Sequence, residues 1–302
     1  MIICIDIGGS AIKGAIATSP DAITPLERIV TPLDDRAAFD AAIAAVVAQA
    51  PDARAVSISI TGVVDPRDGR IKVANIPCID GRALAADLSA QLGKPVLVAN
   101  DADCFALAEA GAGAGRGHAI VFGVILGTGV GGGLVVDGKI VNGAGGFAGE
   151  WGHGPATATS AGNPPLAVPR FPCGCGQVGC VDTIGAARGI ERLHQHIHAI
   201  AATSTDIIAA WQAGDVAAAR TVDVWVDLVA SPLALVINVV GASIVPVGGG
   251  LANAPALIAL LDRTVRQRIL RRTDEPLVVV GQCKVEPGLI GAAILGLGAH
   301  HD

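Results

Sequence analysis

The sequence predicts an α/β protein in two related lobes. Short apolar runs alternate with Ala-rich helical stretches along the 302 residues. A strand, a glycine turn and a returning strand occur twice, at Asp6–Lys13 and at Leu126–Val136. Between the copies, Gly111–Gly117 is a Gly/Ala/Arg stretch without large apolar residues, and it marks a lobe boundary.

The elements follow in order. Ile2–Ile7 is a short apolar run and reads as a buried strand. Gly8-Gly9-Ser10 turns the chain, and Lys13–Ala17 returns as a strand. Arg36–Ala50 is helical, with Asp34 or Asp35 as its cap. Ala55–Ile60 is a strand that ends at Thr61-Gly62, and Asp65–Gly69 is a hairpin signal before Asn75. Leu84–Leu92 is a helix stopped by Gly93, with Pro95 beyond. Val96–Ala99 is a strand that runs straight into Asn100-Asp101 and a helix through Ala110. Ala119–Leu126 is a strand, Gly127–Gly133 a second glycine turn and Leu134–Val136 its return. Helices are expected at Gly185–Ile200, Asp206–Ala213 and Ala217–Val240. Ser243–Val247 is a strand ending in Gly248-Gly249-Gly250, before a helix from Ala254 and a last helix near Gly288–Leu297.

Composition excludes several classes. A net charge of −6 leaves no basic surface for nucleic acid. Seven cysteines in 302 residues are too sparse for a disulfide scaffold and point to a reducing compartment, the cytoplasm. Cys4, Cys78, Cys104 and Cys283 sit in apolar contexts and read as core. The first apolar run, Met1–Ile7, lacks a basic flank, so it is not expected to be a signal peptide. The long apolar run Val226–Val247 contains Asp227, Pro232 and Asn238 and breaks at Gly241, so a buried helix and strand are expected rather than a membrane span.

Chemistry concentrates between Gly149 and Asp182. Cys173, Cys175 and Cys180 are spaced C-x-C-x4-C in a Gly-rich segment, twenty residues after His153. Three thiolates and an imidazole make a tetrahedral Zn²⁺ set with no position left for water, so the metal is expected to be structural. Buried apolar cysteines are the alternative, but the segment has no apolar periodicity. Glu150 and His153 are three apart, so a helical turn would put them on one face. One His153 nitrogen would then hold metal while the other faces a ligand beside Glu150. At the strand-to-helix junction, Asn100 has the form of an N-cap, and Asp101 and Asp103 complement the helix dipole. Asp101 also stands at a strand's carboxyl end, where ligands bind in α/β folds. The amides of the two glycine turns can approach phosphate oxygens, although plain hairpin turns explain the same residues. No G-x4-G-K-[ST] loop is present. His194, His196 and His198 are expected on a solvated face.

Glu150-x-Gly152-His153 followed by C-x-C-G-x2-G-C-x-acid resembles the signature of the ROK family of sugar kinases and repressors. Asp6-Ile-Gly-Gly-Ser10 resembles the first phosphate segment of actin-like ATPases, and Asn100-Asp101-Ala resembles the kinases' catalytic segment. The resemblance covers nearly the whole chain. It implies a two-lobed actin-like ATPase (ribonuclease H-like) fold with a central cleft and a zinc-bound loop. The N-terminal lobe would be 1–113, joined by 288–302, and the C-terminal lobe 114–287, carrying the zinc segment 149–182. It implies ATP and Mg²⁺ as cofactors, with Asp6, Gly8, Gly9, Ser10, Lys13, Gly127, Thr128, Gly129, Gly248, Gly249 and Gly250 on the nucleotide side. Asp101 would be the base, and Gly62, Asn75, Asn100, Asp101, Glu150, His153 and Asp182 would border the sugar. His153 and the three cysteines would hold zinc. The acid after the last cysteine is usually Glu; Asp182 is one methylene shorter. Several segments are most similar to N-acetylglucosamine kinases, which implies 6-phosphorylation of that sugar. Glucose, fructose, allose and N-acetylmannosamine kinases of the family share every motif used. The repressors carry an N-terminal helix-turn-helix, which is not expected ahead of a strand that starts at Ile2; a non-catalytic sugar sensor is the remaining rival. A homodimer is expected from the family.

Overall fold

Six residues with almost no polar content, Ile2–Ile7, form the central strand β1 of the first sheet. A computed structural model of the chain describes residues 1–299. After β1 come β2 (Ala11–Ser19), β3 (Ala22–Pro25), β4 (Ile29–Val30), α1 (Arg36–Ala48), β5 (Val56–Ile60), β6 (Val63–Val64), β7 (Ile71–Lys72), α2 (Leu84–Leu92), β8 (Val96–Asn100) and α3 (Asp101–Ala112). Then follow β9 (Ile120–Leu126), β10 (Val130–Val136), β11 (Lys139–Ile140), β12 (Ser160–Ala161), β13 (Leu166–Ala167), α4 (Asp182–Gly185), α5 (Ala187–His198), α6 (Ser204–Gln212) and α7 (Val216–Val240). The chain closes with β14 (Val245–Gly248), α8 (Pro255–Arg266), β15 (Val278–Val280) and α9 (Pro287–Gly298). The last three residues of the expected 288–302 segment, 300–302, lie outside the described residues.

Contacts divide the chain into two units. One holds Met1–Ala119, Gly133–Ala148 and the chain from Gln282 onward; the other holds Ile120–Gly132 and Gly149–Gly281. In the first unit the sheet order is β3-β2-β1-β5-β8, with β4 also on β2. β1, β5 and β8 are parallel, and β2 runs antiparallel to β1. The side-chain period of two explains the core. Ile3, Ile5 and Ile7 face Phe39, Ile43 and Val46 of α1 and Leu88 of α2. Ile2 and Cys4 face the other way, onto Leu289, Ala292 and Ala293 of α9. Buried on both faces, β1 reads as a continuous apolar run rather than an alternation. Small residues let α9 approach α3 closely: a Cβ on Gly291 would lie 2.0 Å from the Cys104 carbonyl oxygen.

Helix ends follow local rules. Asp35 caps α1, its side chain accepting from the Ala38 amide. Gly93 takes the left-handed conformation that ends α2.

In the second unit β14 lies between β9 and β15, parallel to both. Trp225, Leu228, Val229 and Leu233 of α7 and Leu257, Leu261 and Val265 of α8 are buried. α7 is long and apolar enough to cross a membrane by length and composition, and most of its apolar window is buried inside the protein.

Three expectations need correction. The second glycine turn is shorter than Gly127–Gly133: Val130–Gly133 already belongs to β10. Gly132 sits in the strand because a Cβ there would lie 2.8 Å from the Trp151 ring and 2.9 Å from the Gly149 carbonyl oxygen. The solvated face holds for His196 but not His194, which is buried with Nδ1 2.8 Å from the Thr221 hydroxyl of α7. Residues four apart share a helix face, so His198 lies against His194 with ring centroids 4.8 Å apart and the rings tilted by 52°. Cys4 and Cys104 are core, whereas Cys78 and Cys283 are only partly buried. The Cys78 thiol donates to the Pro32 carbonyl oxygen and the Cys283 thiol to that of Ala108.

Candidate active site

In the first unit, three parallel strands end at one edge and deliver three turns there. The β1–β2 register sets Asp6 opposite Lys13, and the β1–β5 register sets it opposite Ser59. All three side chains therefore share a face. Ser59 Oγ donates to Asp6 Oδ1 at 2.8 Å, and Lys13 Nζ stands 3.8 Å from Oδ2. Burial pushes the Asp6 carboxyl above the usual carboxylate range, against the lowering effects of Ser59 and Lys13. Gly8 and Ala11 close the first turn through a backbone bond, and the Thr31 hydroxyl donates to the Gly8 carbonyl oxygen. Ser10 lies in this turn. Asn75 lies against it: a Cβ on Gly9 would be 3.0 Å from Asn75 Nδ2.

Gly62 and Asn100 come together, since Asn100 Nδ2 donates to the Gly62 carbonyl oxygen at 2.9 Å. Asn100 Oδ1 accepts from the Ala102 amide at 2.8 Å, so Asn100 is the N-cap of α3. Both ends of its amide are engaged, which fixes where α3 starts. Asp101 is therefore held as the first helical residue at the carboxyl end of β8.

In the second unit the Gly127-Thr128-Gly129 turn meets the Gly248–Gly250 segment. Gly249 has a positive φ of 83°, and a Cβ there would lie 2.5 Å from the Leu126 carbonyl oxygen. Only glycine fits such a contact with such a backbone. Asp182 opens α4, and its Oδ1 accepts from the Val130 amide at 2.8 Å. Asp182 thus anchors the end of the Gly127–Gly129 turn.

Glu150 and His153 lie in a turn rather than a helix, yet still meet: His153 Nε2 is 3.8 Å from Glu150 Oε2. His153 Nδ1 is 3.7 Å from Cys173 Sγ, so the two ring nitrogens face two different groups. Burial raises the Glu150 carboxyl above the usual range; the charge of Asp182 adds to this and that of His153 opposes it. Trp151 fixes the segment, with Nε1 donating to the Gly131 carbonyl oxygen and its ring edge-on to Phe122.

The donor atoms of His153, Cys173, Cys175 and Cys180 lie within 4.8 Å of one another. Cys175 and Cys180 sulfurs are 3.6 Å apart. Tetrahedral Zn–S bonds of about 2.3 Å put ligand sulfurs about 3.8 Å apart, so the set fits zinc. A tight turn, with the Cys173 amide bonded to the Gln177 carbonyl oxygen, shapes the loop. The Gln177 amide first, then the neighbouring thiols, bring the Cys175 thiol down to about 7.

Two residues of these sites escape sequence reasoning. Trp151 sits between the expected Glu150 and His153, but its partners are twenty or more residues away. Glu286 bonds Lys13 at 2.7 Å across 273 positions. The one signal for Glu286 is Pro287, which marks the start of a helix and makes the preceding residue its cap.

The ROK family model matches residues 2–298. The N-acetylgalactosamine kinase AgaK of Shewanella sp. (strain ANA-3) is 36% identical over 298 residues, covering 97% of this chain and 96% of that protein. The N-acetyl-D-glucosamine kinase of Escherichia fergusonii is 36% identical over 297 residues, covering 97% and 98%. Among solved structures, a ROK hexokinase from Thermus thermophilus superposes with a TM-score of 0.84 at 27% identity, covering 100% of this chain and 99% of that one. A ROK family glucokinase from Streptomyces griseus, in complex with glucose and AMPPNP, gives 0.75 at 27% identity, covering 97% and 98%. Fold and relatives together make this chain a sugar kinase with the actin-like ATPase fold. It belongs to the ROK family.

Proposed function

We propose that the protein transfers the γ-phosphoryl group of ATP to the 6-hydroxyl of N-acetyl-D-glucosamine, giving N-acetylglucosamine 6-phosphate and ADP. The observation that carries this reading is the N-acetyl-D-glucosamine kinase matched over nearly the whole of both chains. N-acetyl-D-galactosamine is the second reading, because a kinase named for that sugar matches at the same identity. The two sugars differ only in the configuration at C4.

Phosphoryl transfer needs positioning and charge neutralisation more than covalent chemistry. Asp101, held by the Asn100 cap, orients the attacking hydroxyl and takes its proton as the new P–O bond forms. Glu150, His153 and Asp182 hold ring hydroxyls, with Gly62, Asn75 and Asn100 bordering the sugar. The amides of Gly8, Gly9 and Ser10 and of Gly127–Gly129 face phosphate oxygens, and Lys13 adds a positive charge. Gly248–Gly250 leaves room for a flat adenine. Asp6 would hold hydrated Mg²⁺, which supplies charge neutralisation on the phosphates. His153, Cys173, Cys175 and Cys180 would hold zinc, which would supply a structural cross-link that orients His153. A homodimer in the reducing cytoplasm completes the proposal.

The position of transfer is tested with 6-deoxy-N-acetylglucosamine. It is expected to bind but accept no phosphate, while N-acetylglucosamine yields a 6-phosphate by ³¹P NMR. Phosphorylation of the 6-deoxy sugar would overturn the regiochemistry.

A further inference from the structure

We propose that Glu286 is a positioning residue for nucleotide–metal binding. Its carboxylate holds the Lys13 ammonium away from Asp6, so that Asp6 stays open to a hydrated divalent cation. The inference rests on the reading of Asp6 and Lys13 as nucleotide-side residues.

Strand register alone would close an Asp6–Lys13 ion pair, since the two residues face each other across β1 and β2. They form only a long ion pair. Lys13 Nζ is 2.7 Å from Glu286 Oε2 but 3.8 Å from Asp6 Oδ2. The other Asp6 oxygen is already bonded by Ser59. Oδ2 is therefore the oxygen left to meet a metal-bound water, and a closed pair with Lys13 would fill it.

The backbone is shaped to put Glu286 there. It has left-handed dihedrals, φ 47° and ψ 52°, which L-residues other than Gly rarely adopt. Pro287 starts α9 directly after it. Gly288 brings the helix start onto Asp6: a Cβ there would lie 2.3 Å from Asp6 Oδ1. Close docking of α9 and the unusual Glu286 backbone together set the Glu286 carboxylate within reach of Lys13. The arrangement also meets opposing electrical needs. Burial, with a smaller contribution from the Glu286 charge, favours protonation of Asp6, while the Ser59 hydroxyl and the nearby ammonium oppose it. An ammonium near Asp6, but anchored elsewhere, offsets part of that burial effect without filling the carboxylate.

The test is the Mg²⁺ concentration that half-saturates ATP binding, measured by calorimetry on the full chain without sugar. Wild type, Glu286→Gln, Glu286→Gly, Lys13→Met and the Lys13→Met/Glu286→Gln double variant are compared. Glu286→Gln is expected to raise that concentration about fivefold or more, with the KM for sugar unchanged. Glu286→Gly is expected to show the same shift although it relaxes the left-handed backbone. In the Lys13→Met background the Gln substitution should add nothing, because the ammonium it releases is gone. An unchanged Mg²⁺ requirement in Glu286→Gln would overturn the proposal, as would a shift that persists without Lys13. A merely structural Glu286 would lower Tm on Gln substitution, leave the Mg²⁺ requirement alone and be rescued by Gly. Wild type that binds ATP with Mg²⁺ but phosphorylates no sugar would sink the kinase substrate reading and leave the Glu286 result standing. Wild type that binds no ATP would remove the premise of both.

Discussion

At the residue scale, the proposed mechanism makes Asp101 the position on which turnover depends. It is placed by Asn100, whose amide both caps α3 and bonds Gly62. Asp101→Asn keeps the shape and removes the proton acceptor. It should lower kcat by about 10²- to 10⁴-fold while sugar affinity by calorimetry stays within about twofold. Retained turnover would reassign the base. If Glu150 holds a sugar hydroxyl as proposed, it sets a pH dependence. Burial raises its carboxyl above the usual range, so on acidification it takes up a proton earlier than an ordinary carboxylate. A protonated Glu150 cannot accept a hydroxyl bond through a charged oxygen. The KM for sugar should therefore rise toward acid from a pH above the ordinary carboxylate range. In Glu150→Gln that KM should be high and flat with pH; a wild-type-like acid rise in the variant would place the titrating group elsewhere. The Asn100-Asp101 pair was legible because strand, cap and acid are consecutive. Glu286, Trp151 and buried His194 were not, because their partners Lys13, Gly131 and Thr221 are far away in sequence. Local spacing carries no information on such pairs.

At the element scale, two devices shape the molecule. One is the loop that ends at α4. It gathers four metal-type donors within 4.8 Å and leads directly to Asp182, which anchors the Gly127–Gly129 turn through Val130. A metal bound there would tie the folding of this segment to the glycine turn that Asp182 anchors. Purified protein is expected to carry about one zinc per chain by elemental analysis. Cys175→Ser should lose it and lower Tm by about 5 °C or more. A zinc-free wild type with unchanged stability would contradict the donor assignment. The cysteine spacing made this loop legible before any fold was known. The second device is the dense packing of α9 on β1, β5 and α3. Its glycines showed in the sequence, but which backbone they would meet did not. The second glycine turn is shorter than its glycines suggest for the same reason: at Gly132 and Gly133 neighbours crowd a strand, and the chain does not turn there.

At the scale of the whole molecule, strand alternation and two glycine turns were enough to read an α/β chain with a repeated unit. The family model spans residues 2–298, so the fold and the kinase class apply to essentially the full length. What the chain-wide pattern does not encode is the sugar. Discrimination among hexoses comes from a few contacts around the ring, and tenfold selectivity needs only about 1.4 kcal/mol. The motifs used above are common to kinases of several sugars. The most direct test is therefore ADP release with ATP and Mg²⁺ over N-acetylglucosamine, N-acetylgalactosamine, N-acetylmannosamine, glucose, fructose and mannose, compared as kcat/KM. N-acetylglucosamine is expected to lead every other sugar by more than about tenfold. A lead by N-acetylgalactosamine or by a plain hexose would contradict the proposed substrate and keep the mechanism, and no turnover with any sugar would contradict the mechanism itself.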